Sequence, residues 1–125
     1  MNKHLSAIMF CTGMLLSQAA IAAALPDWLA QVDEQKHRQP EQMLQLLQQH
    51  QAELASLTPD VQANGYYQQA ALMKALGRHQ EQLEAAERGL ALLGKEPSLL
   101  KVDLLYQLGF ALEMQTQYQQ ALHYY

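Results

Sequence analysis

The chain has little cysteine, no cluster of basic residues and, after its first 25 residues, few β-branched side chains. Its single cysteine, Cys11, lies in an apolar N-terminal stretch, so the rest of the sequence has no thiol for a disulfide or for nucleophilic catalysis. The formal net charge is −4 over 125 residues. Because binding to a phosphate backbone needs several cations on one surface, nucleic acid is not an expected partner.

The abundant residues favour helices. Ala, Leu, Gln and Glu predominate, and these side chains lose little rotamer freedom against the preceding helical turn. Eighteen glutamines follow Ala24, and we interpret them as residues that solvate helix surfaces without adding charge. The expected fold class is all-α.

Residues 1–24 predict a secretory signal peptide. A positive end at Lys3 precedes an apolar stretch from Leu5 to Leu16, and small residues end at Ala22-Ala23-Ala24. This pattern predicts cleavage between Ala24 and Leu25 and export to the periplasm. The alternative is a retained anchor, because the stretch from Leu5 to Leu25 is long enough to span a bilayer. Lipidation of Cys11 is disfavoured because the bulky Phe10 precedes it.

Proline and glycine divide the remaining residues into helices. Pro26, Pro40 and Pro59 suit first helical turns, where the missing N–H would be unpaired anyway. Gly77 and Gly94 suit the left-handed position after a helix. Thr58 is a predicted N-cap, and Pro97-Ser98 opens another helix. The predicted helices are 26–37, 40–57, 59–76, 79–93, 98–115 and 118 onward, and their short connections predict antiparallel hairpins.

Apolar spacing predicts which helix faces are buried. In the second predicted helix these residues are Met43, Leu44, Leu46, Leu47 and Leu54. In the third they are Val61, Tyr66, Ala70 and Met73, and in the fifth they are Leu105, Leu108 and Leu112.

The last two predicted helices resemble one tetratricopeptide repeat (TPR). The matching residues are Leu105, Leu108, Gly109, Leu112, Tyr118, Ala121 and Tyr125. Small residues at Gly109 and Ala121 are expected where two helices cross. A second copy contains Tyr66, Ala70, Met73, Gly77, Leu83, Ala86, Gly89 and Leu90, with Gln69 and Gln82 in place of the usual Leu and Ala.

The resemblance implies a TPR-like α-solenoid over residues 25–125, made of stacked antiparallel helix hairpins. It contains a degenerate pair at 26–57, a pair at 59–93 and an incomplete pair at 98–125. The sequence stops within the second helix of this last pair, which predicts an array that continues further. A plain helical bundle is the alternative fold.

The same resemblance implies that the first helices of successive pairs line a groove for a protein or peptide ligand. The positions expected to face it are Asn64, Tyr67, Ala71, Lys74, Asp103, Tyr106, Phe110 and Glu113. Tyrosine offers a large contact area and one hydroxyl group at low entropic cost. The charges are mixed, so a clamp of several cations is not expected. The aromatic residues could instead pack between neighbouring pairs.

A signal peptide followed by irregular, Gln-rich TPR repeats also resembles the periplasmic sensory region of bacterial membrane-bound diguanylate cyclases. This implies an exported interaction or sensory module at the N-terminus of a larger inner-membrane signalling protein. Contact with a membrane is then expected only through the leader or a segment further downstream. A free-standing periplasmic scaffold for envelope assembly is the alternative.

The sequence predicts no enzyme site, no metal site and no cofactor. His37, His50, His79 and His123 are isolated and lack the spacing of metal ligands. Ser56 and Ser98 lie at helix ends, where capping explains them. The acidic pair Glu81 and Glu84 is expected on a solvated helix face.

Overall fold

The computed structural model describes residues 25–123, and the predicted signal peptide, including Ala24, lies outside this range. The described residues are all-helical and contain no strand. We number the helices α1 (Asp27–Gln35), α2 (Pro40–Gln49), α3 (Gln51–Leu54), α4 (Pro59–Ala75), α5 (His79–Leu92) and α6 (Leu99–His123). The all-α prediction is therefore confirmed for this part of the chain. None of the described helices has the length and apolar character needed to cross a membrane.

The predicted helix starts are largely confirmed. Pro40 and Pro59 are the first residues of α2 and α4. The Ser98 hydroxyl accepts a hydrogen bond from the Lys101 backbone N–H at 3.1 Å, which caps α6. Thr58 has the extended backbone of an N-cap, but its hydroxyl makes no capping hydrogen bond.

The two glycines predicted to follow helices in a left-handed conformation differ in their backbone conformation. Gly77 has a positive φ of 72°, and the N–H of Arg78 donates to the Met73 carbonyl at 2.8 Å, closing a Schellman turn after α4. The left-handed prediction for Gly94 is wrong, because α5 ends when Leu93 adopts an extended conformation.

Helix α4 is central. The turn at Gly77 joins α4 to α5, and these two helices pack against each other. Helix α6 packs against both of them. On the other side, α4 contacts α1, α2 and α3. The predicted face of α4 is confirmed at Val61, Ala70 and Met73, all buried. The burial is wider than predicted because α4 has neighbours on several sides.

The core has two parts. The N-terminal part contains large aliphatic side chains from α1 to α4, namely Leu29, Val32, Met43, Leu44, Leu47, Leu54, Val61, Leu72 and Met73. The C-terminal part is built from small residues, Ala70, Ala85 and Ala86, with Leu108 packed against them. The predicted buried face of residues 43–54 is confirmed, with Leu46 partly buried.

Helix α6 is continuous, so the predicted break between residues 115 and 118 is wrong. The segment Gln115-Thr116-Gln117 has neither glycine nor proline to end the helix. The Thr116 hydroxyl donates to the Leu112 carbonyl at 3.0 Å, a bond that a helix tolerates. The incomplete pair predicted at 98–125 is therefore one helix as far as His123. The predicted helix at 40–57 is instead interrupted at His50.

The buried face of α6 is displaced by one residue from the prediction. Leu104, Gln107 and Ala111 are buried, whereas Leu105 and Leu112 are 50% and 49% exposed. The predicted stripe was expected to pack against a second helix of the same pair. Within the described residues α6 does not fold back, so Leu105 and Leu112 remain half exposed, while Leu108 packs against the alanines of α4 and α5.

The predicted crossing at Gly109 is also wrong. A Cβ atom at Gly109 would have no neighbour within 4 Å, whereas one at Gly89 would lie 2.7 Å from Leu104 Cδ2 and 3.2 Å from Tyr66 Cβ. The close approach of helices therefore occurs at Gly89, where α5 meets α4 and α6.

Candidate functional site

The C-terminal end of α4 meets the middle of α6 in a cluster that we call the Lys74 cluster (Lys74, Tyr106, Phe110 and His79). Lys74 Nζ donates a hydrogen bond to the Tyr106 hydroxyl at 3.0 Å. It also lies 4.4 Å from the centroid of the Phe110 ring and 4.8 Å from that of Tyr106. An ammonium over aromatic faces is attracted by the ring quadrupole. The Lys74 ammonium therefore lies against both rings.

Helix geometry explains why these residues meet. Tyr106 and Phe110 are four residues apart, so their side chains lie on the same side of α6, with ring centroids 6.1 Å apart. His79 begins α5, and its ring lies 5.8 Å from that of Phe110. The Gly77 turn places His79 close to Lys74 in space as well as in sequence. Three helices thus contribute to one cluster.

A second polar group lies where α1 meets α4. Lys36 is 7% exposed, and its Nζ lies 2.7 Å from Asp33 Oδ1 and donates to Gln68 Oε1 at 3.0 Å. Gln68 Nε2 donates to Asp33 Oδ1 at 2.8 Å, which closes the triangle. Lys36 Nζ also lies 4.9 Å from the centroid of the Tyr67 ring. The hydrogen bond from Lys36 holds the pKa of the Asp33 carboxyl below its ordinary value.

Two buried glutamines join α5 to α6. Gln82 Nε2 donates to Gln107 Oε1 at 2.7 Å, and Gln82 Oε1 lies 2.9 Å from His79 Nδ1. Gln82 is fully buried and Gln107 is 5% exposed. The interpretation of glutamine as a surface residue is therefore wrong at these positions and at Gln68. A buried amide is stable when its donors and acceptors are paired.

A third group surrounds the interruption between α2 and α3. The Trp28 and His50 rings stack with centroids 4.5 Å apart and planes 6° apart. His50 Nδ1 lies 2.9 Å from Glu53 Oε2, and this hydrogen bond lowers the pKa of the Glu53 carboxyl. Among residues 25–123 the buried Trp28 Nε1 has no hydrogen-bond partner, although the indole near Glu53 also lowers the pKa of that carboxyl.

The predicted groove residues are distributed over two of these groups. Lys74, Tyr106 and Phe110 come together, and Tyr67 lies beside Lys36. Asn64 Oδ1 is 3.4 Å from Gln68 Nε2, and Ala71 is buried between helices. Asp103 and Glu113 are exposed on α6.

Sequence reasoning missed Lys36, Gln68 and the participation of His79. Gln68 is the one that sequence could have indicated, because it follows Val61 at a spacing that continues the buried face of α4. Among residues 25–123, no group of three His, Cys, Asp or Glu side chains is placed to hold a metal ion.

An open cleft of about 830 Å³ adjoins the Lys74 cluster. It lies between the start of α5 and the C-terminal half of α6, and four of its eight lining residues are glutamines. Its lining includes Gly77, His79, Gln80, Met114, Gln115 and Tyr118.

The comparisons of this chain with protein-family models, with curated proteins and with solved structures found no match.

Proposed function

We propose that residues 25–123 form a binding module for a protein or peptide, with the α4–α6 face as its recognition surface. The observation that carries the proposal is the Lys74 cluster, where an ammonium, a hydroxyl and two aromatic rings reach the surface together. Tyr106 is 55% exposed although its hydroxyl is engaged by Lys74. Aromatic side chains held on rigid helices are common anchors in interfaces. We assign no reaction to these residues.

The helix order supports a TPR-like arrangement as part of this proposal. Helices α4 and α5 form a pair joined by a tight turn, and α6 packs on both of them. Stacking of each pair on the next is how repeat proteins bury a continuous core. In this arrangement α4 and α6 are the first helices of successive pairs, so their shared face is the groove.

Export to the periplasm is a separate part of the proposal and depends on the leader. The sequence resemblance supports a sensory module of a larger signalling protein, such as a diguanylate cyclase, and a periplasmic scaffold is the alternative. N-terminal sequencing of the protein from a periplasmic fraction tests export. Leu25 as the first residue is expected, and an intact Met1 would contradict cleavage.

Site-specific photocrosslinking in cells tests the recognition surface. A photoreactive phenylalanine analogue at Tyr106 or Glu113 is expected to give one discrete adduct. The matched control is Gln45, an exposed position on α2 outside the α4–α6 face. Equal adducts at Tyr106 and Gln45, or none at Tyr106 and Glu113, would argue against this surface.

A further inference from the structure

The Lys74 ammonium has no acidic partner within the described residues. Lys36 and Arg78, by contrast, form ion pairs, Lys36 with Asp33 and Arg78 with Glu81, each at 2.7 Å. No carboxylate of residues 25–123 forms an ion pair with Lys74, and its side-chain hydrogen bond among these residues is to the Tyr106 hydroxyl. Within residues 25–123 the Lys74 charge therefore has no counter-ion.

The two polar groups of this cluster can act on one ligand. An ammonium has three N–H donors, and the Tyr106 hydroxyl that accepts one of them keeps its own hydrogen to donate. The two atoms are 3.0 Å apart, a spacing at which both can donate to the oxygens of one carboxylate. A carboxylate would also supply the missing negative charge.

An apolar surface begins beside this polar pair. Phe110, Met114 and Tyr118 follow each other at intervals of four residues along α6, which corresponds to about 6 Å per step. Met114 and Tyr118 line the open cleft, and His79 connects that cleft to Phe110. The cleft has the volume of small-molecule sites, and its lining combines Met114 and Tyr118 with His79 and four glutamines.

We propose that the Lys74 cluster and the adjoining cleft bind a small monocarboxylate with an aromatic or aliphatic tail. The carboxylate lies between Lys74 Nζ and the Tyr106 hydroxyl, and the tail lies on Phe110 and Met114 towards Tyr118. Asp103 and Glu113 are exposed three residues before Tyr106 and three after Phe110, so a second negative charge on the ligand is disfavoured. This inference uses the face of the proposed function and assigns a small ligand to it.

The test compares 4-phenylbutyrate with its uncharged amide, which has the same tail. Binding to the purified chain is followed by NMR of ¹³C-labelled methionine methyl groups and backbone amides. The acid is expected to bind about tenfold more tightly than the amide, because hydrogen bonds to a charged group are the stronger ones. The Met114 methyl signal is expected to shift with both probes, and acetate is expected to bind more weakly than 4-phenylbutyrate.

Three variants test whether Lys74 and Tyr106 cause the preference for the acid over the amide. Lys74→Gln is expected to abolish the preference for the acid, and Tyr106→Phe to reduce it several-fold while keeping the ring. The matched control is Lys101→Gln, because Lys101 lies on α6, the helix of Tyr106, and its Nζ donates to the Gly94 carbonyl. It is expected to leave the preference unchanged. Helical circular dichroism of each variant verifies that it is folded.

Three results would overturn the inference. These are equal binding of acid and amide, an acid preference that survives in Lys74→Gln, and no binding of 4-phenylbutyrate at tens of millimolar. A discrete photocrosslink at Tyr106 together with any of these results would leave the proposed function standing. Loss of that crosslink alone would leave the carboxylate site standing.

Discussion

The pKa of the Asp33 carboxyl is lowered in the folded protein by a local contact and by one contact across the α1–α4 interface. Lys36 is the main cause of the low pKa of its carboxyl group, and Gln68 adds a second hydrogen bond. A folded-state pKa below the unfolded value gives stability that is fully present above the unfolded pKa. That stability is lost as the pH falls through the folded pKa.

We therefore expect wild-type protein to lose more stability than Asp33→Asn when the pH falls below about 4. The Asp33 side chain is 58% exposed, so solvent screening keeps the effect small. Urea unfolding at neutral pH and at two acidic values measures it. A parallel loss of stability in both proteins would show that the carboxylate contributes nothing.

The buried amide pair gives a second prediction for single residues. Gln107→Leu leaves Gln82 Nε2 without its acceptor in a closed interface, which is expected to cost about 1–3 kcal/mol of unfolding free energy. The double variant Gln82→Leu/Gln107→Leu is expected to recover most of this loss, because two apolar groups of similar shape replace both partners. Denaturant unfolding of the wild type, the two single variants and the double variant gives a double-mutant cycle. Additive losses would contradict coupling between the amides.

Two substitutions in α6 test which of two adjacent leucines faces the core. Leu104 is fully buried and Leu105 is 50% exposed. Leu104→Ala is expected to lower the unfolding free energy by about 2–5 kcal/mol. Leu105→Ala serves as the matched control and is expected to cost less than about 1 kcal/mol, because the side chain is half in solvent. Thermal or urea unfolding measures both losses. A larger loss for Leu105→Ala than for Leu104→Ala would show that Leu105 faces the core, as predicted from sequence.

Two helical glycines give a matched pair in neighbouring elements. Gly89→Ala places a methyl group against Leu104 and Tyr66, and the expected overpacking cost of about 1–3 kcal/mol exceeds the gain in helix propensity. Gly109→Ala meets open space and is expected to stabilise by up to about 1 kcal/mol. Changes in melting temperature of opposite sign verify this. Destabilisation by Gly109→Ala would indicate a close neighbour at that position.

Sequence could predict the helix boundaries better than the helix faces. Proline fixes its own φ, and Gly77 supplies a left-handed turn, so local chemistry alone determines the starts of α2 and α4 and the end of α4. Leu104 and Leu105 have the same local propensity, and only the neighbouring helices decide which of them is buried. Repeat spacing brought Lys74, Tyr106 and Phe110 to one predicted face. The buried hydrogen bonds of Lys36, Gln68 and Gln82 depend on side chains far apart in sequence.

At the scale of the whole molecule, the last two turns of the described part of α6 are open to solvent. Residues 116–123 are all exposed, with Tyr118 at 67% and Leu122 at 58%. Deleting residues 118–125 is therefore expected to change the unfolding free energy by less than about 1 kcal/mol. Urea unfolding of the shortened chain tests this. A large loss of stability would mean that this end of α6 supports the fold.

The stack of Trp28 on His50 makes the protein a convenient object for spectroscopy. The sequence has one tryptophan, so its fluorescence comes from a single place, the contact between α1 and the junction of α2 with α3. Far-ultraviolet circular dichroism is weighted instead towards the longer helices α4 to α6. If the emission and dichroism curves separate during denaturation, the aliphatic N-terminal core and the alanine-rich C-terminal core open in different steps.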